Sequence, residues 1–103
     1  MATTSIIGTE EKFSVHIEPL GDIHAMDYNF SVKVYSNKQA NIIISKGEVI
    51  FESADTFTIL VDTGALGLGV ITIEVTAYIP DTDFPDRLRT EIARYITDTQ
   101  IIA

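Results

Sequence analysis

The sequence predicts an all-β protein, a two-sheet antiparallel β-sandwich of immunoglobulin-like build. Three observations carry that prediction. Apolar and polar residues alternate with a period of two in one segment after another. Val, Ile and Thr make up about a third of the 103 residues, and β-branched side chains suit a pleated surface better than a helix. Turn chemistry interrupts the alternation roughly every ten residues, the spacing of short sandwich strands. One-sided alternation implies sheets packed on one face and wet on the other, so two such sheets should stack face to face.

The elements follow in order. Residues 1–10 show no periodicity and are rich in Thr and Ser, so they read as a flexible arm, leaving 11–103 as the single domain. Phe13, Val15 and Ile17 alternate with Ser14, His16 and Glu18 in a first strand, which Pro19-Leu20-Gly21-Asp22 ends. Tyr28, Phe30, Val32 and Val34 alternate with Asn29, Ser31 and Lys33 in a second, closed by the turn residues Ser36-Asn37-Lys38. Ile42 to Ile44 reads as a short buried strand, and Lys46-Gly47 as the turn into a hairpin partner, Val49-Ile50-Phe51. Thr56 to Val61 sets Phe57, Ile59 and Val61 on one face. Ile71, Ile73, Val75, Ala77 and Ile79 oppose Thr72, Glu74, Thr76 and Tyr78 in what reads as the longest strand. Arg87 to Ile96 closes the set; Leu88, Ile92 and Ile96 also fit a helical spacing, so strand and helix both stay open there.

Composition narrows the function classes. Fifteen acidic against seven basic residues give a net charge of -8, which repels phosphate backbones and anionic membrane surfaces, so no nucleic-acid partner is expected. The 46% of hydrophobic residues supplies enough apolar area for one core. Zero cysteines remove disulfides, thiolate catalysis and Cys-based zinc sites while leaving the compartment open. The opening residues carry no basic stretch and no long apolar run, so synthesis is expected in the cytoplasm without a secretory signal. No stretch approaches the roughly 18 consecutive apolar residues of a spanning helix, so no membrane insertion is expected.

Few residues suggest chemistry. Leu60-Val61-Asp62-Thr63-Gly64-Ala65 resembles the active-site loop of retroviral-type aspartic proteases, in which two protomers each supply one Asp and share a proton. That resemblance implies Asp62 as the catalytic candidate. The family also needs a glycine-tipped flap and a downstream apolar-apolar-Gly brace, and from Val70 onward the chain has no glycine. Asp62 is therefore expected to end a strand. Gly64, Gly67 and Gly69 lead into a strand rather than a helix, so they read as positive-φ positions in a connection and not as a phosphate cradle. Asp81, Asp83 and Asp86 surround Phe84-Pro85, which replaces the turn of a calcium loop; solvated turn carboxylates are expected. His16 and His24, eight apart, match no metal spacing, and His16 faces outward in the strand phase. Arg87, Arg89 and Glu91 are expected on one strand face, pairing across the sheet with Glu74. No catalytic, cofactor-binding or metal-ligating residue is assigned, and an enzyme is not expected.

A longer pattern runs from Thr56 to the end. It comprises an apolar strand to Asp62, Leu66-Gly67-Leu68-Gly69, an alternating strand, Ile79-Pro80-Asp81-Thr82-Asp83-Phe84-Pro85-Asp86 with an arginine after it, and a closing Thr97 to Ile102. With the earlier strand from Asp27 to Tyr35, it resembles the amino-terminal β-sandwich modules of phage and prophage structural proteins, especially fibre and baseplate components from phages of gut anaerobes. In those modules a glycine commonly follows Phe-Pro-Asp, where this chain has Arg87. The resemblance implies a homo-oligomeric virion building block that anchors or joins fibre or baseplate components by contacts with other virion proteins. An alternative from the residues alone is a carbohydrate-binding or cell-surface recognition sandwich, with Tyr28, Tyr35, Tyr78 and Tyr95 as stacking platforms.

Overall fold

The structure, a computed structural model, describes residues 3–19, 21–36 and 40–103; the expected turn residues Leu20, Asn37 and Lys38 lie outside these. Among the described residues there are eight strands, three single-turn 3-10 helices and no α-helix. The strands are β1 (Thr3–Ile6), β2 (Glu10–His16), β3 (Asn29–Tyr35), β4 (Asn41–Ser45), β5 (Ile50–Phe51), β6 (Thr56–Asp62), β7 (Gly69–Pro80) and β8 (Leu88–Ile102). They form a five-stranded sheet in the order β1-β8-β7-β3-β4, curled into a half-barrel, and a three-stranded sheet in the order β2-β6-β5. At about 3.3 Å per residue, the 15 residues of β8 span about 50 Å, which matches the 48 Å long dimension of the molecule.

The period-two pattern buries most of the residues it marked, with Phe13 and Ile17 only half-buried. Phe30, Val32 and Val34 of β3, Phe57, Ile59 and Val61 of β6, and Ile71, Ile73, Val75, Ala77 and Ile79 of β7 are all buried. With Val15, Ile44 and Ile101 they form one cluster to which both sheets contribute. Phe30 of the larger sheet stacks on Phe57 of the smaller, centroids 5.0 Å apart, and meets Phe51 edge-on at 6.1 Å.

Several expectations are corrected. The sheets are not wholly antiparallel: β1 runs parallel to β8, Thr3 opposite Thr99 and Ile6 opposite Ile102, and the rest of the chain serves as the long crossover that parallel neighbours require. The segment read as a flexible arm thus supplies β1 and the first residue of β2. Its periodicity was invisible because the residue β1 buries is Ser5, bonded to Glu11 at 2.9 Å, while Ile6 is exposed.

The expected hairpin between Ile42–Ile44 and Val49–Phe51 does not form. β4 pairs with β3, whereas β5 pairs with β6 in the other sheet. Between them lies a 3-10 turn, Lys46–Glu48, whose Glu48 carboxylate accepts from the Ser45 N–H and hydroxyl. Its Lys46 ammonium donates to the Met26 and Tyr28 carbonyls at 2.6 and 2.8 Å, fixing the crossover against the chain entering β3. β4 is consequently an edge strand, with Ile44 buried and Ile43 exposed. The longest strand is β8, not β7. Strand wins over helix from Leu88 to Ile96 because each residue pairs in register with β7, from Pro80 opposite Leu88 to Thr72 opposite Ile96.

Candidate functional site: the open edge of the last strand

In β8 the usual patterning is turned inside out. Its register with β7 puts Arg89, Glu91, Ala93 and Tyr95 on the face shared with buried Ile79, Ala77, Val75 and Ile73. Leu88, Ile92 and Ile96 share the outer face with Pro80, Thr76 and Thr72, where Ile92 is 63% and Ile96 75% exposed. A single exposed aliphatic residue needs no explanation, but three recurring on one strand face beside an unpaired edge form a patch.

The edge itself is open over most of its length. β1 pairs with β8 only from Thr99 to Ile102, so among the described residues nothing pairs with the outer side of Leu88 to Asp98. The Asp81 N–H donates to the Arg87 carbonyl at 2.9 Å, which sets the phase of the ladder. Alternation then aims the backbone groups of Arg89, Glu91, Ala93 and Tyr95 at β7, and those of Leu88, Thr90, Ile92, Arg94 and Ile96 outward. The ladder stays regular until an irregularity between Val70 and Thr72, opposite Thr97–Thr99. There the Thr97 hydroxyl takes the Ile71 carbonyl at 2.8 Å.

Charge on the outer face is organised across strands. Arg94 donates to Glu74 through Nε and a terminal nitrogen at 3.1 and 2.9 Å, and Lys33 sits opposite Glu74 on the other side. Glu74 therefore pairs with Arg94 and not with the expected Arg87, Arg89 and Glu91. Arg89 and Glu91 lie on the opposite face, where Arg89 bridges Asp81 at 3.2 Å and Glu91 at 3.3 Å.

Behind β8, on the core side, Glu91, Ala93 and Tyr95 stay exposed. Ile17, Tyr28, Val75, Ala77, Ile79 and Tyr95 line a cleft of about 90 Å³, well below the roughly 300 Å³ of a small-molecule site. Burial raises the phenol pKa values of Tyr28 and Tyr95 there. Tyr35 and Tyr78 stand on the outer face, six residues apart in β7 register, or about 20 Å. The four tyrosines are thus divided between two faces and make no common platform.

The remaining candidates resolve into local structure. Asp62 ends β6 opposite Glu10, and its carboxylate accepts from the Gly64 N–H at 2.9 Å. Of the three glycines, Gly69 has φ +126°, while Gly64 sits in a 3-10 turn where an added Cβ would lie 3.1 Å from the Asp62 carboxylate. Asp81 accepts from the Asp83 N–H and pairs with Arg89, and Asp86 accepts from the Leu88 N–H. Among the described residues no group of three potential ligands could hold a metal ion. Arg87 has φ 61°, the left-handed conformation that a glycine takes without strain. His16 is exposed, as its strand phase predicts, and its Nδ1 lies 2.9 Å from the Thr56 hydroxyl.

Sequence reasoning missed one polar pair. His24 Nδ1 lies 2.6 Å from an Asp55 carboxylate oxygen, and the other oxygen accepts from the Ala25 N–H at 3.0 Å. The hydrogen bond to the Asp55 carboxylate, then its charge, raises the imidazole pKa above 6.5. Burial works to raise the Asp55 carboxyl pKa, but the bonds from His24 and Ala25 outweigh it and hold the carboxyl below its ordinary 3.8. A separation of 31 positions along the chain left no spacing signal. In comparisons with protein-family models, curated proteins and solved structures, nothing matched this chain.

Proposed function

We propose that this chain is a non-enzymatic structural module of a phage particle, joining fibre or baseplate components through protein–protein contacts at its exposed sheet edge. The observation that carries the reading is the edge of β8: among the described residues no strand pairs with the outer side of Leu88 to Asp98, eleven residues that turn Ile92 and Ile96 to solvent. Soluble proteins blunt such edges with lysines, prolines, bulges, inward-pointing charges or short strands, because an open edge templates pairing with another chain. Of these, β8 has inward Arg89 and Glu91 and an irregularity beyond Ile96, but neither Lys nor Pro, and it is the longest strand. The net charge of -8 keeps the separate protomer in solution before assembly. The Phe-Pro-Asp segment adds support, since Arg87 occupies a left-handed position where the resembling modules commonly place glycine.

The finer reading of the fold as an immunoglobulin-like sandwich belongs to this proposal and is supported by the core that both sheets share. Partners are other virion structural proteins, and the place of action is the virion after synthesis in the host cytoplasm. Mass spectrometry of particles purified from a host that carries the gene tests the reading. The chain should be recovered at a stoichiometry fixed to the other structural proteins, and purified particles that lack it would refute the proposal.

A further inference from the structure

We propose that the first partner of the β8 edge is a second copy of this chain, paired antiparallel about a two-fold axis at Ile92. The proposal rests on the assembly reading and names the occupant of its surface. The edge is complementary to itself. Residues directly opposite in an antiparallel pair share a face, so the exposed edge can meet its own copy in only a few registers.

Centring on Ile92 sets Ile92 against Ile92 of the second copy, Leu88 against its Ile96, and Thr90 against its Arg94. Every outward apolar side chain of the segment then meets another. On the inner face Arg89 comes over the ring of the second copy's Tyr95, and Glu91 faces its Ala93. No like charges stand directly opposite. Centring on Glu91 or Arg94 places identical charges face to face. Centring on Thr90 leaves Ile96 uncovered, and centring on Ala93 sets the isoleucines against Arg94 and Thr90.

Backbone phase agrees with the chosen register. Thr90, Ile92 and Arg94 direct their amides and carbonyls outward, as do Leu88 and Ile96. The Leu88 N–H is held by the Asp86 carboxylate, so the Ile92-centred pairing closes about eight interchain hydrogen bonds, all within the regular part of β8. Charge also favours self-pairing there. In a chain of net -8, the segment from Leu88 to Ile96 carries two arginines and one glutamate, so the seam avoids the repulsion that the rest of the surface would impose. The joined larger sheets would form one continuous ten-stranded sheet, a two-fold isologous contact.

Light scattering coupled to size exclusion tests this on the full chain. The wild type should elute at twice its 11.4 kDa mass at high micromolar concentration, and Ile92→Lys at the single mass with an unchanged circular dichroism spectrum. The natural absence of cysteine allows the register to be read separately. Leu88→Cys mixed with Ile96→Cys should give an oxidised heterodimer, while either variant alone gives at least tenfold less cross-linked product. A wild type of single mass at every concentration overturns the pairing, as does cross-linking of Leu88→Cys to itself in preference to Ile96→Cys. The two readings fail separately. A single-mass chain recovered in particles sinks the pairing alone, whereas a dimer missing from particles sinks the assembly reading alone.

Discussion

Truncating Phe30 tests whether the two sheets are held together where the structure joins them. The ring is 1% exposed, stacked on Phe57 at 5.0 Å with planes 23° apart, and approached edge-on by Phe51 at 6.1 Å and Tyr28 at 6.4 Å. Removing a buried phenylalanine side chain costs about 3–5 kcal/mol. Each aromatic neighbour adds about 0.5–1.5 kcal/mol beyond burial, so Phe30→Ala belongs at the upper end, near ~5 kcal/mol. A domain of this length has about 5–15 kcal/mol in total, and at about 4–8 °C per kcal/mol the variant should lose roughly 20 °C or more in Tm. The milder Phe30→Leu keeps most of the volume and should cost about 1.5 kcal/mol. Urea unfolding followed by circular dichroism supplies the assay, and a double-mutant cycle of Phe30→Leu with Phe57→Leu isolates the contact between sheets. A coupling of about 1 kcal/mol is expected. Additivity within about 0.3 kcal/mol would refute the contact, and with it the shared core on which the sandwich reading depends.

Other perturbations probe separate features. Arg87→Gly should stabilise by about 0.5–1 kcal/mol, because glycine removes the cost of a left-handed φ of 61° at the expense of some unfolded-chain entropy; a loss of stability would contradict the turn. Gly69→Ala should cost about 2 kcal/mol, since φ is +126° and the new Cβ would lie 3.1 Å from the Ser36 carbonyl oxygen. Gly47→Ala, with open space around it, should stay within about 0.5 kcal/mol of wild type in the same denaturant series. The His24–Asp55 pair should give a distinctive pH signature. Raised imidazole pKa means its contribution is complete below 6.5 and fades as pH climbs through the folded value; the lowered carboxyl pKa means that side fades as pH falls below 3.8. The Tm gap between wild type and His24→Gln should therefore peak in the weakly acidic range and narrow at alkaline pH, and a gap that widened with rising pH would reverse the assignment.

The interior strands were legible because burial on one face forces their alternation. Phe30, Val32 and Val34, or Ile71 to Ile79, have no other place to go than the core. Pairing partners were less legible, because alternation specifies a face and says nothing about a neighbour. Ile50 and Phe51 satisfy a hairpin with β4 and a pairing with β6 equally well; the Ser45–Glu48 capping box and the Lys46 clamp on Met26 and Tyr28 decide between them, and both act through side chains. The His24–Asp55 pair was hidden for a related reason, since tertiary folding alone brings the two together.

β8 was ambiguous for a more informative reason. Leu88, Ile92 and Ile96 are four apart, which is one turn of a helix and equally one face of a strand. A helix would turn that stripe toward the core, whereas the register with β7 turns it to solvent and leaves charged Arg89 and Glu91 on the core side. β1 shows the same inversion, burying Ser5 and exposing Ile6. Both inverted strands belong to the edge region of the larger sheet, where no second layer covers the inner face fully. Apolar residues kept outward on such strands, Ile92 and Ile96 above all, contribute little to folding the single chain, so most of the free energy they can supply is realised when another strand arrives. Ile92→Lys should accordingly leave the protomer's denaturant midpoint nearly unchanged, within about 0.5 kcal/mol, while abolishing association. A large loss of protomer stability in that variant would place Ile92 in the core's service and remove the physical basis for reading this edge as an interface.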